Sequence, residues 1–427
     1  MFNQQGLSLD QAPPIEVVFR FFLVGMLFGI LAGIETLFFG RAVLESTSRE
    51  ALVLTHTLTL GVMMSVMLGA LFQMLPVIAG VKFNAPQRTS LAVLPPLIIG
   101  TLTLLTAFYT GHALFFTLAS VLLGATLLLT AGAMQRKLLA LKDHGKSSLG
   151  MVAALGGLTL LTLAALYLAG SYAGWVSGAL FVQVKQAHIG FGLLGWIGLL
   201  IASVSFQVIE MFYVTPPYPK PATRYVPFAV LGLLAAGLLL AFVTPVFQAV
   251  ATAAAAVMLM AYAGITLLRL SQRKRPIADA TVWFWRVGMG ALIVAMAATA
   301  DVQFTDIAWL QTLAYIAFAA FALSVVFAMF YKIVPFLTWF HLNAQGYFDA
   351  PMMHEVIHPK TAMKHLYIHL AALAMFLLSL ALPAFIYLGG ALLALSFAWA
   401  AWQLLNAWKL YYHTQKHGQK FEMNIEG

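Results

Sequence analysis

Residues 55–76 read THTLTLGVMMSVMLGALFQMLP, an apolar stretch with one histidine, His56, near its start and two glycines, Gly61 and Gly69, behind it. A run of ~20 predominantly apolar residues is long enough to cross a bilayer as a helix. Eleven more such runs are present, and the full set covers roughly 16–43, 52–80, 91–110, 113–134, 149–171, 181–213, 226–245, 247–269, 283–300, 307–339, 365–382 and 384–410. The chain of 427 residues is 62% hydrophobic and 9% charged, against about 25% charged in a soluble domain. The expected fold is therefore an all-α polytopic membrane protein of twelve helices, with no large soluble domain.

Lysine and arginine set the expected orientation, because they are retained on the cytoplasmic side. With the N-terminus inside, Lys82, Arg88, Arg136, Lys137, Lys142, Lys146, Lys220, Arg224, Arg269, Arg273, Lys274, Arg275, Lys360 and Lys364 all fall at inner ends. Arg41, Arg49 and Lys185 fall at outer ends. Both termini are thus expected in the cytoplasm, and the net charge of +9 describes a basic surface facing anionic lipid and not a nucleic-acid partner. The N-terminal MFNQQGLSLDQAPP lacks the basic region and cleavage site of a signal peptide, so the first helix is read as a span. Cysteine is absent, which excludes disulfides, thiolate metal sites, iron–sulfur clusters and covalently attached c-type haem.

The chain also carries an internal repeat. Shifting the second helix by 134 residues sets Gly61 on Gly195, Gly69 on Ser203 and Phe72-Gln73 on Phe206-Gln207. Shifting it by 259 sets LFQMLP on FYKIVP, with Pro76 on Pro335, while Glu210 takes the proline position in the sixth helix. This predicts three pseudo-repeats of four helices, about 1–140, 141–275 and 276–412, with 413–427 as a cytoplasmic tail. Helices two, six and ten would line the centre.

Ionisable groups in a bilayer are costly and mark function by default. His56 and His188 lie near the outer ends of helices two and six, and His112 opens helix four at the same level. Neutral imidazole suits haem iron or copper, and Gly61, Gly69, Gly190 and Gly195 would give helix faces flat enough for a porphyrin. In the glycine register, however, His56 falls on Gly190, so His188 is displaced by two residues, which argues against a shared cofactor. Glu35 can take up a proton, pair with a histidine or hydrogen-bond a neighbouring helix. Glu210 and Lys332, at matching inner ends, can pair or snorkel. Met63 and Met67 share the His56 face, where thioether and imidazole together suit Cu(I), although a methionine stripe is also ordinary packing. The segment HEVIH, His354–His358, matches the H-E-x-x-H of zinc peptidases. Pro359 follows it directly and blocks a continuous helix, and His365 and His369 open the next span as further candidate ligands.

Twelve helices in three units, with histidines at the outer ends of helices two and six, resemble the catalytic subunit of haem–copper oxidases. The stretch AHIGFGLLGWIGLL is similar to helices of the cbb3-type and nitric-oxide-reductase branch. THTLTLGVMMSVMLGALFQMLPVIAG resembles the NnrS-like haem- and copper-containing membrane proteins. The resemblance implies b-type haem or copper: His56 keeps a low-spin-haem ligand position whose usual helix-ten partner is absent, and His188 stands on the helix that supplies a copper ligand. Gly61 and Gly195 beside the cofactor and His112 as a further metal ligand complete the candidate site read from the residues. The resemblance also implies a bacterial-type cytoplasmic (inner) membrane, nitric oxide or oxygen as small ligands, a redox partner, and a role in redox or nitric oxide physiology. Helix seven has no histidine and helix ten offers only Tyr315, so the binuclear oxygen-reducing site of that family is missing. A cofactor-free permease on the same scaffold and a zinc peptidase at HEVIH are the competing readings.

Overall fold

The computed structural model describes residues 11–275 and 277–420. Twelve helices among them are long and apolar enough to cross a membrane, which fits a lipid bilayer environment. They are α1 (Ile15–Leu44), α2 (Arg49–Ala79), α3 (Pro86–Thr110), α4 (Ala113–Leu139), α5 (Lys146–Ala173), α6 (Gly178–Tyr213), α7 (Lys220–Leu240), α8 (Pro245–Ser271), α9 (Ala280–Asp301), α10 (Ala308–Ala344), α11 (Pro359–Leu378) and α12 (Phe385–His417). Local chemistry explains where they begin and stop. Pro86, Pro245 and Pro359 sit at first helical positions, where the missing N–H costs nothing. Ser48, Thr244 and Asp279 cap the helices that follow them with side-chain oxygens. Gly80, Gly111 and Gly174 end α2, α3 and α5 with positive φ, the left-handed conformation that glycine adopts without a Cβ clash.

Two boundaries differ from the sequence reading. α10 runs on to Ala344 and so takes His341 into its last turn. α12 runs on to His417, so the first part of the expected tail, 413–417, is helix; residues 421–427 lie outside the described residues. The chain returns to where it began, since Tyr412 Oη donates to Glu16 of α1 at 3.1 Å.

Burial separates the helices sharply. In the most apolar stretch of each helix, 83%, 78% and 72% is buried for α2, α6 and α10, against 39%, 28% and 28% for α3, α7 and α11. α2, α6 and α10 meet around a small apolar gap of about 80 Å³ lined by Met67, Leu71, Ile201, Val204, Val326 and Met329. α2 and α6 share one further feature. Each contains eight residues of wider π-helix, Thr57–Met64 and Phe191–Gly198, and these segments coincide under the 134-residue shift. α10 is an unbroken α-helix of 37 residues.

The inner-end charges find partners other than each other. Glu210 pairs with Lys146 at 2.9 Å, and Lys332 pairs with Asp279 at 2.7 Å. Each pair ties the start of one helix (α5 or the α9 cap) to the second helix of the same stretch, so the expected Glu210–Lys332 pairing does not form.

Candidate functional site

A cavity of about 580 Å³ opens between α2 and α6, reaching α4 and α5 on one side and α10, α11 and α12 on another. That size lies within the range of about 300–1,000 Å³ seen for small-molecule sites. Its lining is mostly hydrocarbon and aromatic, and it includes three histidines, His56, His188 and His369.

His56 and His188 face one another. Their ring centres lie 6.2 Å apart with the planes inclined by 19°. They meet despite the two-residue displacement between them in the glycine register. His56 Nδ1 is 2.8 Å from the Leu52 carbonyl oxygen. A carbonyl only accepts, so Nδ1 carries the proton and Nε2 keeps its lone pair. The ring also rests on Phe108 at 4.8 Å. His188 Nδ1 is buried without a hydrogen-bond partner among the described residues.

Glu35 is placed behind this pair. Its Oε1 accepts from Thr57 Oγ1 at 2.9 Å, one residue from His56, and its Oε2 is buried without a partner among the described residues. It therefore bonds the neighbouring helix and not a histidine. Met63 and Met64 line the cavity, whereas Met67 faces the central gap instead.

The other expected site residues lie elsewhere. His112 is exposed at the start of α4, beside Phe115, and does not line the cavity. The glycines named from the sequence lie at close contacts with neighbouring helices. A Cβ on Gly61 would lie 2.4 Å from the Phe28 ring of α1, and one on Gly69 would lie 2.6 Å from Phe21. Gly195 packs on α5, where a Cβ on Gly157 would lie 2.2 Å from its carbonyl oxygen. Gly190 faces Leu234. Glycine in a membrane helix permits close helix approach as readily as ligand approach, and the sequence does not distinguish the two uses.

HEVIH does not assemble a peptidase site. His354 and Glu355 lie on a single turn, Met353–Val356, and Glu355 is spent accepting the Met352 N–H at 2.7 Å. His358 lies outside that turn and caps α11, its Nδ1 accepting from the Lys360 N–H at 3.1 Å. The H-E-x-x-H chemistry needs both histidines on one helix face with a third ligand. No cluster of three or more metal-ligating His, Asp or Glu side chains is present among the described residues.

His365 and His369, read from the sequence as extra ligands for that loop, point into the bundle instead, 0% and 1% exposed. His365 is bonded on both sides, by Tyr331 Oη at Nδ1 (2.8 Å) and Ser396 Oγ at Nε2 (2.7 Å). His369 Nε2 bonds Ser324 Oγ at 2.8 Å, while its Nδ1 is buried without a partner. Ser120 and Trp196, which the sequence reading passed over, also line the cavity with unpartnered buried polar atoms. A tryptophan or serine inside an apolar run carries no signal of its own; a histidine ten residues into α11 does. No protein-family model matches the chain, and no curated protein matches it.

Proposed function

We propose that this chain is a multi-pass membrane metalloprotein in which His56 and His188 jointly hold one transition-metal group, a b-type haem iron or a copper ion. Its role would lie in redox or nitric oxide physiology at a bacterial-type cytoplasmic membrane, with both termini in the cytoplasm. The observation that carries this reading is the histidine pair itself. An imidazole nitrogen binds a first-row metal at about 2.0–2.1 Å, so two rings whose centres lie about 6 Å apart are close enough to share one metal. The pair here has 6.2 Å and nearly parallel planes.

The donor set suits both occupants. Two neutral imidazoles would hold haem iron or copper. The adjoining cavity is of a size for an organic cofactor, and the Met63 and Met64 thioethers in its wall favour Cu(I). Bound there, either group would supply one-electron exchange. The protein's part is orientation and exclusion. The Leu52 carbonyl holds the His56 tautomer that leaves Nε2 free. Thr57 is anchored to Glu35, so the backbone beside His56 is fixed to α1. Phe108, Phe116 and Tyr172 close the apolar wall against water.

The three-unit architecture belongs to the same proposal. It is supported by the coincident π segments and by the high burial of every second helix in each set of four. With no histidine in α7, oxygen or nitric oxide turnover by the binuclear oxidase mechanism is not expected.

The test is an absorption spectrum with haem and copper assays on purified protein. A Soret band or about one copper per chain is expected, lost in His56→Ala and His188→Ala and kept in His112→Ala. If both variants keep the wild-type content, the pair is not the metal site.

A further inference from the structure

Four buried polar side chains on the cavity wall have an atom without a hydrogen-bond partner among the described residues: Ser120 Oγ, His188 Nδ1, Trp196 Nε1 and His369 Nδ1. A buried polar group left in this state is costly, so unpartnered groups gathered on one void indicate an occupant. His188 belongs to the metal reading above. The other three come from three different helices, α4, α6 and α11. His369 is midway along α11. Trp196 is eight residues beyond His188, ~12 Å further along α6.

Their chemistry narrows the occupant. The Trp196 indole N–H only donates, so it requires an acceptor. Ser120 can donate or accept. His369 can do either, because Ser324 Oγ, bonded to its Nε2 at 2.8 Å, can reverse its own role. Lys185, in the first turns of α6, is the one Lys, Arg, Asp or Glu among the described residues lining the cavity. No other lining residue among those described compensates a charge, which disfavours a carboxylate or phosphate there. The rest of the lining is mostly apolar and aromatic.

We infer that this cavity binds a neutral, membrane-soluble ring bearing oxygen acceptors, a quinone-type headgroup with an apolar tail. The Trp196 N–H and the Ser120 hydroxyl donate to ring oxygens. His369, with Ser324 behind it, donates to a carbonyl or accepts from a hydroxyl, so the oxidised and reduced forms of such a ring are both accommodated. This inference rests on the cavity and not on the metal site.

The experiment is equilibrium binding of a radiolabelled decyl-tailed benzoquinone to the full chain in lipid nanodiscs. Saturable binding near one per chain is expected, uncompeted by decylbenzene, which has the tail and a ring but no oxygens. Trp196→Phe and Ser120→Ala should each weaken it roughly five- to tenfold, the loss of one neutral hydrogen bond. The His56→Ala/His188→Ala double variant should still bind, which separates this result from the metal assay. No saturable binding, equal competition by decylbenzene, or unchanged affinity in both single variants overturns the inference. Binding confined to the double variant overturns it too, since the metal group would then own the whole cavity. The decylbenzene arm uses wild-type protein and stands even where a variant fails to fold.

Discussion

Two histidine pairs lie inside the helical bundle, and they are built for opposite purposes. His56 and His188 face each other across 6.2 Å beside a cavity, each keeping a ring nitrogen free of protein hydrogen bonds among the described residues. His365 and His369, one turn apart on α11, are packed around Phe327, at 4.5 and 5.3 Å between ring centres. Both nitrogens of His365 are consumed by hydroxyls of α10 and α12. The cost of an intramembrane imidazole is met by protein partners at both nitrogens of His365 and at Nε2 of His369, whose Nδ1 is left open on the cavity wall among the described residues. In the first pair it is left to be met by something else. What separates a ligand from a structural histidine is therefore its unspent nitrogen and the space in front of it.

The sharpest way to break the comparison is to remove one histidine from each pair and read bound metal. His56→Ala or His188→Ala should lower affinity for haem or copper by at least about 100-fold, since one of two protein ligands is gone. His365→Ala should leave metal content per folded protein unchanged. Equal losses in both pairs would mean that metal content reports folding and not ligation.

Stability should invert that ranking. His365→Ala leaves the Tyr331 and Ser396 hydroxyls facing a void, at about 1–3 kcal/mol for each unsatisfied buried group. A loss of about 2–4 kcal/mol is expected, read as a lowered midpoint of thermal or denaturant unfolding in detergent. The metal-free proteins carrying His56→Ala or His188→Ala should lie within about 1 kcal/mol of metal-free wild type, because the Leu52 carbonyl that His56 bonds is a helix backbone acceptor and no side-chain hydroxyl is stranded by losing the ring. A loss of 2 kcal/mol or more there would make His56 a structural residue.

The twelve spans and their order were legible from apolar length and charge, because bilayer thickness imposes a coarse rule that composition obeys. The prominence of α2, α6 and α10 was legible too, through Gly61, Phe72, Gln73 and Pro76 keeping register with later helices. The site was legible in half. His56 and His188 stood out because a histidine in hydrocarbon is expensive. The direction each faces depends on helix rotation, which the π segments Thr57–Met64 and Phe191–Gly198 alter and which no residue pattern announces. The same blindness covers the glycines, since the tight neighbour of Gly61 is Phe28, 33 positions away. His112 sits at the expected end of its helix but outside the cavity, a difference of azimuth and not of depth.

A smaller effect tests the glycine correction. Gly157→Ala would set a methyl 2.2 Å from the Gly195 carbonyl oxygen. Backbone on the opposing helix cannot yield by a rotamer change, so α5 and α6 must separate at about 1–3 kcal/mol. Because Gly195 lies in the π segment that follows His188, metal affinity should fall with it. Gly132→Ala in α4 meets no atom within 4 Å and should be neutral or slightly stabilising, by up to about 1 kcal/mol. Similar outcomes for the two substitutions would return the glycines to the clearance role.

The smallest expected effect lies at the opposite end of the bundle from the histidine pair, where Asp279 joins α9 to α10. Its Oδ1 caps α9 by accepting the Val282 N–H at 3.1 Å, and Oδ2 takes Lys332 Nζ at 2.7 Å. Burial raises the Asp279 carboxyl, but Lys332, the Thr281 hydroxyl and the Val282 N–H outweigh it and hold the carboxyl below its ordinary value. Asp279→Asn keeps a capping oxygen and loses the charge. With the Asp279 side chain 43% exposed, solvent screening limits the loss to about 0.5–1 kcal/mol. The sign of the pH dependence follows from the lowered carboxyl. Stabilisation by the ionised group is fully present above the unfolded-chain value of about 3.9 and fades as pH falls through the folded one. The gap between wild type and Asp279→Asn should therefore stay level from about pH 8 to pH 5 and close below about pH 4. A gap that widens in acid, or that is absent at neutral pH, would show that Lys332 gains nothing from this partner.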